Sequence, residues 1–159
     1  MHHYMMRSCW FGLLLLSLSA GCSTTPPKTF PVQGSVKTTT GEPCSGALVV
    51  FHPTEDARLN APKPFATCGV DGAFRLTTFQ EGDGAAPGEY AVTVVWPSEV
   101  VAGEMSLSSE GKAVGADRLR NNYGDPRSPR LKATVRGEPE QLIALEVDPS
   151  IAPPIVADP

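Results

Sequence analysis

The chain has few of the residues that do chemistry. Three histidines occur in 159 residues, and two of them are His2 and His3. Four cysteines occur, with no Cys-x-x-Cys pair to make a metal or redox motif. No Gly-x-Ser-x-Gly elbow is present to expose a nucleophilic serine. Basic charge is also short: 13 Lys and Arg against 17 Asp and Glu give a formal charge of −4. Without a basic patch, nucleic acid is not an expected partner. No apolar run reaches the roughly 20 residues that a membrane-crossing helix needs. Long helical periodicity is missing too, which argues against a helical bundle.

What is present is punctuation. Gly (15) and Pro (16) together approach a fifth of the chain. Between them lie short apolar or alternating runs, the pattern of an all-β protein. Val32, Gly34 and Val36 form one face of a strand over Val32–Lys37. Ala47 to Phe51 is continuously apolar, as a central strand can be. Phe65–Cys68 and Ala73–Phe79 flank Val70-Asp71-Gly72, and Asp-Gly is a strong hairpin signal. Tyr90, Val92, Val94 and Trp96 share a face, and Pro97 ends that strand. Leu131–Arg136 and Leu142–Val147 read as a last hairpin around Gly137-Glu138-Pro139. Ser98 to Asn122 has few large apolar residues and reads as an exposed excursion, with a short helical turn near Asp117–Arg120. Seven strands punctuated in this way predict a two-sheet β-sandwich, with a small barrel as the alternative.

The N-terminal segment is built like a bacterial export signal. Arg7 precedes an almost wholly apolar run, Cys9 to Leu18, and small residues then lead to Cys22. The ending Leu18-Ser19-Ala20-Gly21-Cys22 resembles a lipobox, the signal of bacterial lipoproteins. The resemblance implies cleavage before Cys22, diacylglycerol on its sulfur and a third acyl chain on its new amino group. Two or more chains hold a protein stably to a membrane, whereas one does so marginally. Residues 1–21 are then a signal peptide. Residues 22–29, with Ser23, Thr24, Thr25, Pro26 and Pro27, are a polar tether. Loss of Arg7 moves the formal charge to about −5. Ser23, and not Asp, follows Cys22, which favours the outer membrane as the location within the cell envelope.

A second resemblance covers residues 30–148. Val32-Gln-Gly-Ser-Val, Gly41-Glu-Pro and Gly46-Ala-Leu-Val-Val-Phe are similar to the start of a carboxypeptidase regulatory-like domain. So are Thr67-Cys-Gly-Val-Asp71-Gly-Ala-Phe74 and Pro87-Gly-Glu-Tyr90-Ala-Val-Thr-Val. Tyr123-Gly-Asp-Pro and Ala133-Thr-Val-Arg-Gly resemble the ending of small lipoproteins of this kind. The resemblance implies a transthyretin-like or Ig-like, seven-stranded Greek-key β-sandwich. Tyr90 then resembles a corner tyrosine, its ring inward and its hydroxyl on backbone. Gly41, Gly72 and Gly88 fall at turns that need positive φ. Residues 149–159 are a Pro-rich, flexible tail.

These motifs specify turns more than chemistry. His52-Pro53-Thr54-Glu55 has the His-x-x-Glu form of a metallocarboxypeptidase zinc motif. A catalytic zinc needs three protein ligands, and His52 is the only histidine beyond the signal. A Cys44–His52–Cys68 zinc site lacks close spacing, and a Ser-His-Asp triad would need His52 without an elbow. Asp71, Glu81 and Asp83 match no EF-hand calcium loop. Tyr123 and Phe79 are candidate sugar platforms, Trp96 is one only if its alternating strand leaves it outside the core, and Arg118, Arg120, Arg127 and Arg130 are a candidate partner surface. No metal, cofactor or catalytic residue is expected, and the chain is expected not to be an enzyme. Its expected role is a non-catalytic protein-interaction or structural module with an envelope partner. A carbohydrate- or surface-ligand-binding sandwich is the alternative. The remaining cysteines are a candidate disulfide, Cys44–Cys68, closing a loop of about 25 residues in an oxidising compartment. The rival state is two buried free thiols packed as small apolar groups.

Overall fold

The computed structural model describes residues 26–98, 106–107 and 113–152. The signal peptide (1–21) and Cys22 lie outside the described residues, as do 23–25 of the tether and 153–159 of the tail. The described residues contain no α-helix and one 3-10 turn, Asp56–Arg58.

The strands are β1 (Val32–Thr38), β2 (Leu48–Pro53), β3 (Phe65–Thr67), β4 (Ala73–Arg75), β5 (Gly88–Val95), β6 (Ser106–Leu107), β7 (Ala113–Val114), β8 (Leu131–Val135) and β9 (Gln141–Val147). Seven of them make two sheets, β4-β1-β9 and β3-β2-β5-β8, and β6-β7 form a small ribbon. One core joins the two sheets, the arrangement of a β-sandwich. Period-2 alternation decides which side chains enter it. Val32 and Val36 come from β1, Val49 and Phe51 from β2, Tyr90, Val92 and Val94 from β5, and Leu145 and Val147 from β9. Trp96, one residue beyond β5, continues the inward face of that strand. Phe51 is the centre of an aromatic group, with ring centroids 5.7 Å from Tyr90 and 6.4 Å from Phe74, both tilted.

Two expected hairpins are not simple hairpins. The Asp71-Gly72 turn does form: Gly72 N–H donates to Gly69 O (3.0 Å) and Gly69 N–H to Ala73 O (2.8 Å). Its arms nevertheless enter different sheets, β3 beside β2 and β4 beside β1. They pair again at the Phe65–Thr77 bridge. Likewise β8 pairs with β5, and β9 runs parallel to β1, from Val32↔Gln141 to Thr38↔Val147. A turn reverses the chain locally, but the apolar face of each arm selects its sheet. The 117–123 segment is a turn and not a helix, because Arg120 (φ 53) and Asn121 (φ 60) leave the right-handed region.

Gly72 holds this end of the sandwich shut. Its φ is 77, and an added Cβ would stand 2.5 Å from Val36 O and 3.2 Å from Cys44 N. Gly41 has a similar φ of 87 with open space around it. Gly72→Ala is therefore expected to cost about 2–4 kcal/mol, from left-handed strain plus displaced backbone. Gly41→Ala is expected to cost about 1–2 kcal/mol from strain alone. Urea denaturation of both variants checks this, and equal losses would contradict it.

Candidate functional site

The sequence candidates fall on opposite sides of the four-stranded sheet. His52 points outward from β2 beside Ala91 of β5, and its Nε2 shares a 2.9 Å hydrogen bond with Thr93 Oγ1. Burial, and then the charge of Lys63, push its pKa below the ordinary imidazole value. It lies in an open groove of about 370 Å³ with Pro53, Leu59, Lys63, Ala91, Pro126 and Arg127. Glu55 turns away to Arg58, in contacts of 2.9 and 3.1 Å, so the His-x-x-Glu spacing makes no ligand pair. Cys44 and Cys68 belong to the core cluster between the sheets, so the three zinc candidates are not brought together.

Two of the three candidate calcium carboxylates, Asp71 and Asp83, serve the chain itself. Asp71 Oδ1 accepts the Ala73 N–H at 3.0 Å. Asp83 accepts the N–H groups of Thr78 (2.7 Å) and Phe79 (3.0 Å). Among the described residues no group of three or more His, Cys, Asp or Glu is placed to hold a metal ion.

The aromatic candidates are also occupied. Trp96 is buried, its indole N–H donates to Ser45 O at 3.0 Å, and the Arg118 guanidinium lies 3.4 Å over its ring. Arg118 in turn pairs with Glu42 at 2.9 Å. The Tyr123 ring is buried and its hydroxyl accepts the Asp148 N–H at 2.8 Å. The suggested arginine surface is thus divided, with Arg118 on Trp96 and Arg127 on Asp125 at 3.3 Å. Tyr90 does what a corner tyrosine does: its ring is buried and its hydroxyl donates to Ala86 O at 2.6 Å. Arg58 stacks 5.5 Å from that ring and donates to Pro87 O, pinning the 3-10 turn to the start of β5.

Two features went unread in the sequence. Asp117 organises the turn after the excursion, accepting from Trp96 N and Leu119 N on Oδ1 and from Asn121 N on Oδ2. The other is the outer face of the four-stranded sheet. Register places Leu48 beside Val95 and Val50 beside Phe65. Leu48 (40%), Phe65 (48%) and Val95 (36%) are exposed there. The signal was available: outward positions in the continuously apolar run of β2 are apolar where an alternating strand carries polar residues.

Cys44 and Cys68 are free thiols, both buried, and burial pushes each up to about 11. This is the reduced state of the candidate pair.

No protein-family model matches the chain, and no curated protein matches it. Among solved structures it is similar to a 9R-lipoxygenase from Cyanothece PCC8801, at 10% identity and a TM-score of 0.40. The match covers 76% of this chain and 16% of that one. That solved chain is an enzyme, in contrast to the expectation that this one is not, but at this identity and TM-score the likeness assigns this chain no lipoxygenase chemistry. The expectation of a non-enzymatic role is not carried further.

Proposed function

We propose that this chain is a lipoprotein of the bacterial cell envelope, anchored through acyl chains on Cys22, that works as a protein-interaction or structural module. The order of Arg7, the apolar Cys9–Leu18 run, the small residues and Cys22 supports the anchor. Ser23 after it supports the outer membrane. The two sheets of three and four strands and the Tyr90 corner are compatible with a Greek-key, transthyretin-like sandwich of the carboxypeptidase regulatory-like kind. One observation carries the interaction reading: Leu48, Phe65 and Val95 lie exposed on one sheet face, where an isolated sandwich would carry polar side chains. Carbohydrate binding is the weaker reading, because stacking platforms are few among the described residues: Tyr123 and Trp96 are buried, and the exposed rings are Phe79 (43%) and Phe65, which stands in an aliphatic row with Leu48 and Val95.

The test is site-specific photo-crosslinking of the full-length protein in native membranes. A crosslinker at Phe65 is expected to trap an envelope protein, and one at Val70, which is 87% exposed on a turn, is not. No adduct at Phe65, together with specific micromolar binding of a glycan, would reverse the order of the two readings.

A further inference from the structure

The backbones of Cys44 and Cys68 are hydrogen-bonded into the same short turn. Cys44 opens it, with its N–H donating to Val36 O (3.0 Å) and its carbonyl accepting the Ala47 N–H (3.1 Å). Cys68 closes on it from the end of β3. Its N–H donates to Ala47 O (2.8 Å) and its carbonyl accepts the Gly46 N–H (3.0 Å). Both side chains enter the same core. The charge of a Cys44 thiolate also disfavours ionisation of Cys68, which fits two sulfurs within electrostatic reach.

We propose that Cys44 and Cys68 are joined as a disulfide in the exported protein, closed while the chain folds and then sealed by the core. The idea rests on the proposed export of the chain, since an oxidising compartment is what favours such a bond. The oxidant is a disulfide-bearing protein of the thiol-oxidase class. One cysteine thiolate attacks a sulfur of the oxidant's disulfide and expels the first oxidant thiolate. The second cysteine thiolate then attacks the mixed disulfide and expels the other. The pair loses two protons and two electrons, and the oxidant's disulfide becomes two thiols. Timing follows from burial. In the folded, reduced protein both sulfurs are out of reach of an oxidant, and their thiolate fraction at neutral pH is small. Exchange therefore belongs to the open chain.

The test uses the full chain isolated from membranes, alkylated in denaturant without reductant and digested with trypsin. Cleavage after Arg58 separates the two cysteines. The expected product is a linked pair of peptides, lighter by two hydrogens than the free peptides together. Alkylated Cys44 and Cys68 would overturn the proposal, and the mass of the Cys22 peptide in the same digest judges the export reading separately. A second arm adds glutathione disulfide to the purified, reduced full chain. Denatured protein refolded with it is expected to form the bond, and protein folded beforehand is not. Failure of the refolding chain to oxidise overturns the proposal whatever the location, and rapid oxidation of the folded chain overturns the sealing. Cys44→Ala/Cys68→Ala is expected to melt several degrees below the oxidised parent. Equal melting temperatures would count against a stabilising bond.

Discussion

Phe51→Ala will remove about 3–5 kcal/mol of folding stability, while Phe65→Ala will remove less than about 1 kcal/mol. The two residues lie on neighbouring strands of one sheet and differ in the face they occupy. Phe51 is fully buried between Phe74 and Tyr90, so truncation leaves a cavity and unpairs two aromatic contacts. Phe65 is 48% exposed on the outer face, and its backbone bonds to Thr77 do not depend on its ring. A small domain has about 5–15 kcal/mol in total, so Phe51→Ala will leave a marginal protein. Urea denaturation with an unchanged m-value is the measurement. A similar loss at both positions would place the core on the wrong side of the four-stranded sheet.

Cys22→Ser will abolish lipid labelling and detach the chain from the membrane. The thioether to diacylglycerol needs the cysteine sulfur, and a serine hydroxyl cannot replace it in that linkage. Without the acyl chains, no apolar run in the sequence is long enough to cross a bilayer as a helix. Labelled palmitate should fall to background, and the protein should stall as a precursor or appear in the soluble fraction. Full membrane retention of an unlabelled, processed Cys22→Ser protein would contradict the anchor.

Much of the fold was legible because β-strands write their faces into the sequence. Tyr90, Val92, Val94 and Trp96 alternate, and all four are buried. The Asp71-Gly72 turn follows from local chemistry and appears where that chemistry places it, and the Tyr90 hydroxyl bonds backbone as the resemblance implies. Sheet membership was not legible. Leu131–Arg136 and Leu142–Val147 read as a hairpin because the residues between them are turn formers. Their partners, β5 and β1, are set by long-range packing that no local pattern encodes. The site was harder still. Trp96 ends an alternating strand, which favours its burial over a role as a sugar platform, but no local pattern shows that Arg118 lies over its ring. His52 and Glu55 have ligand spacing, yet the end of β2 sends one to Thr93 and the other to Arg58. The continuous run Ala47–Phe51 reads as a central strand, and β2 does lie between β3 and β5, but continuity does not show that Leu48 stands on an open outer face.

The most direct test of a lipid-tethered envelope module is the mass of its mature N-terminal peptide, taken from protein extracted from membranes. The account predicts a chain that begins at Cys22, with diacylglycerol on sulfur and a third acyl group on nitrogen. A mature terminus at another residue, with Cys22 removed or unmodified, would contradict it.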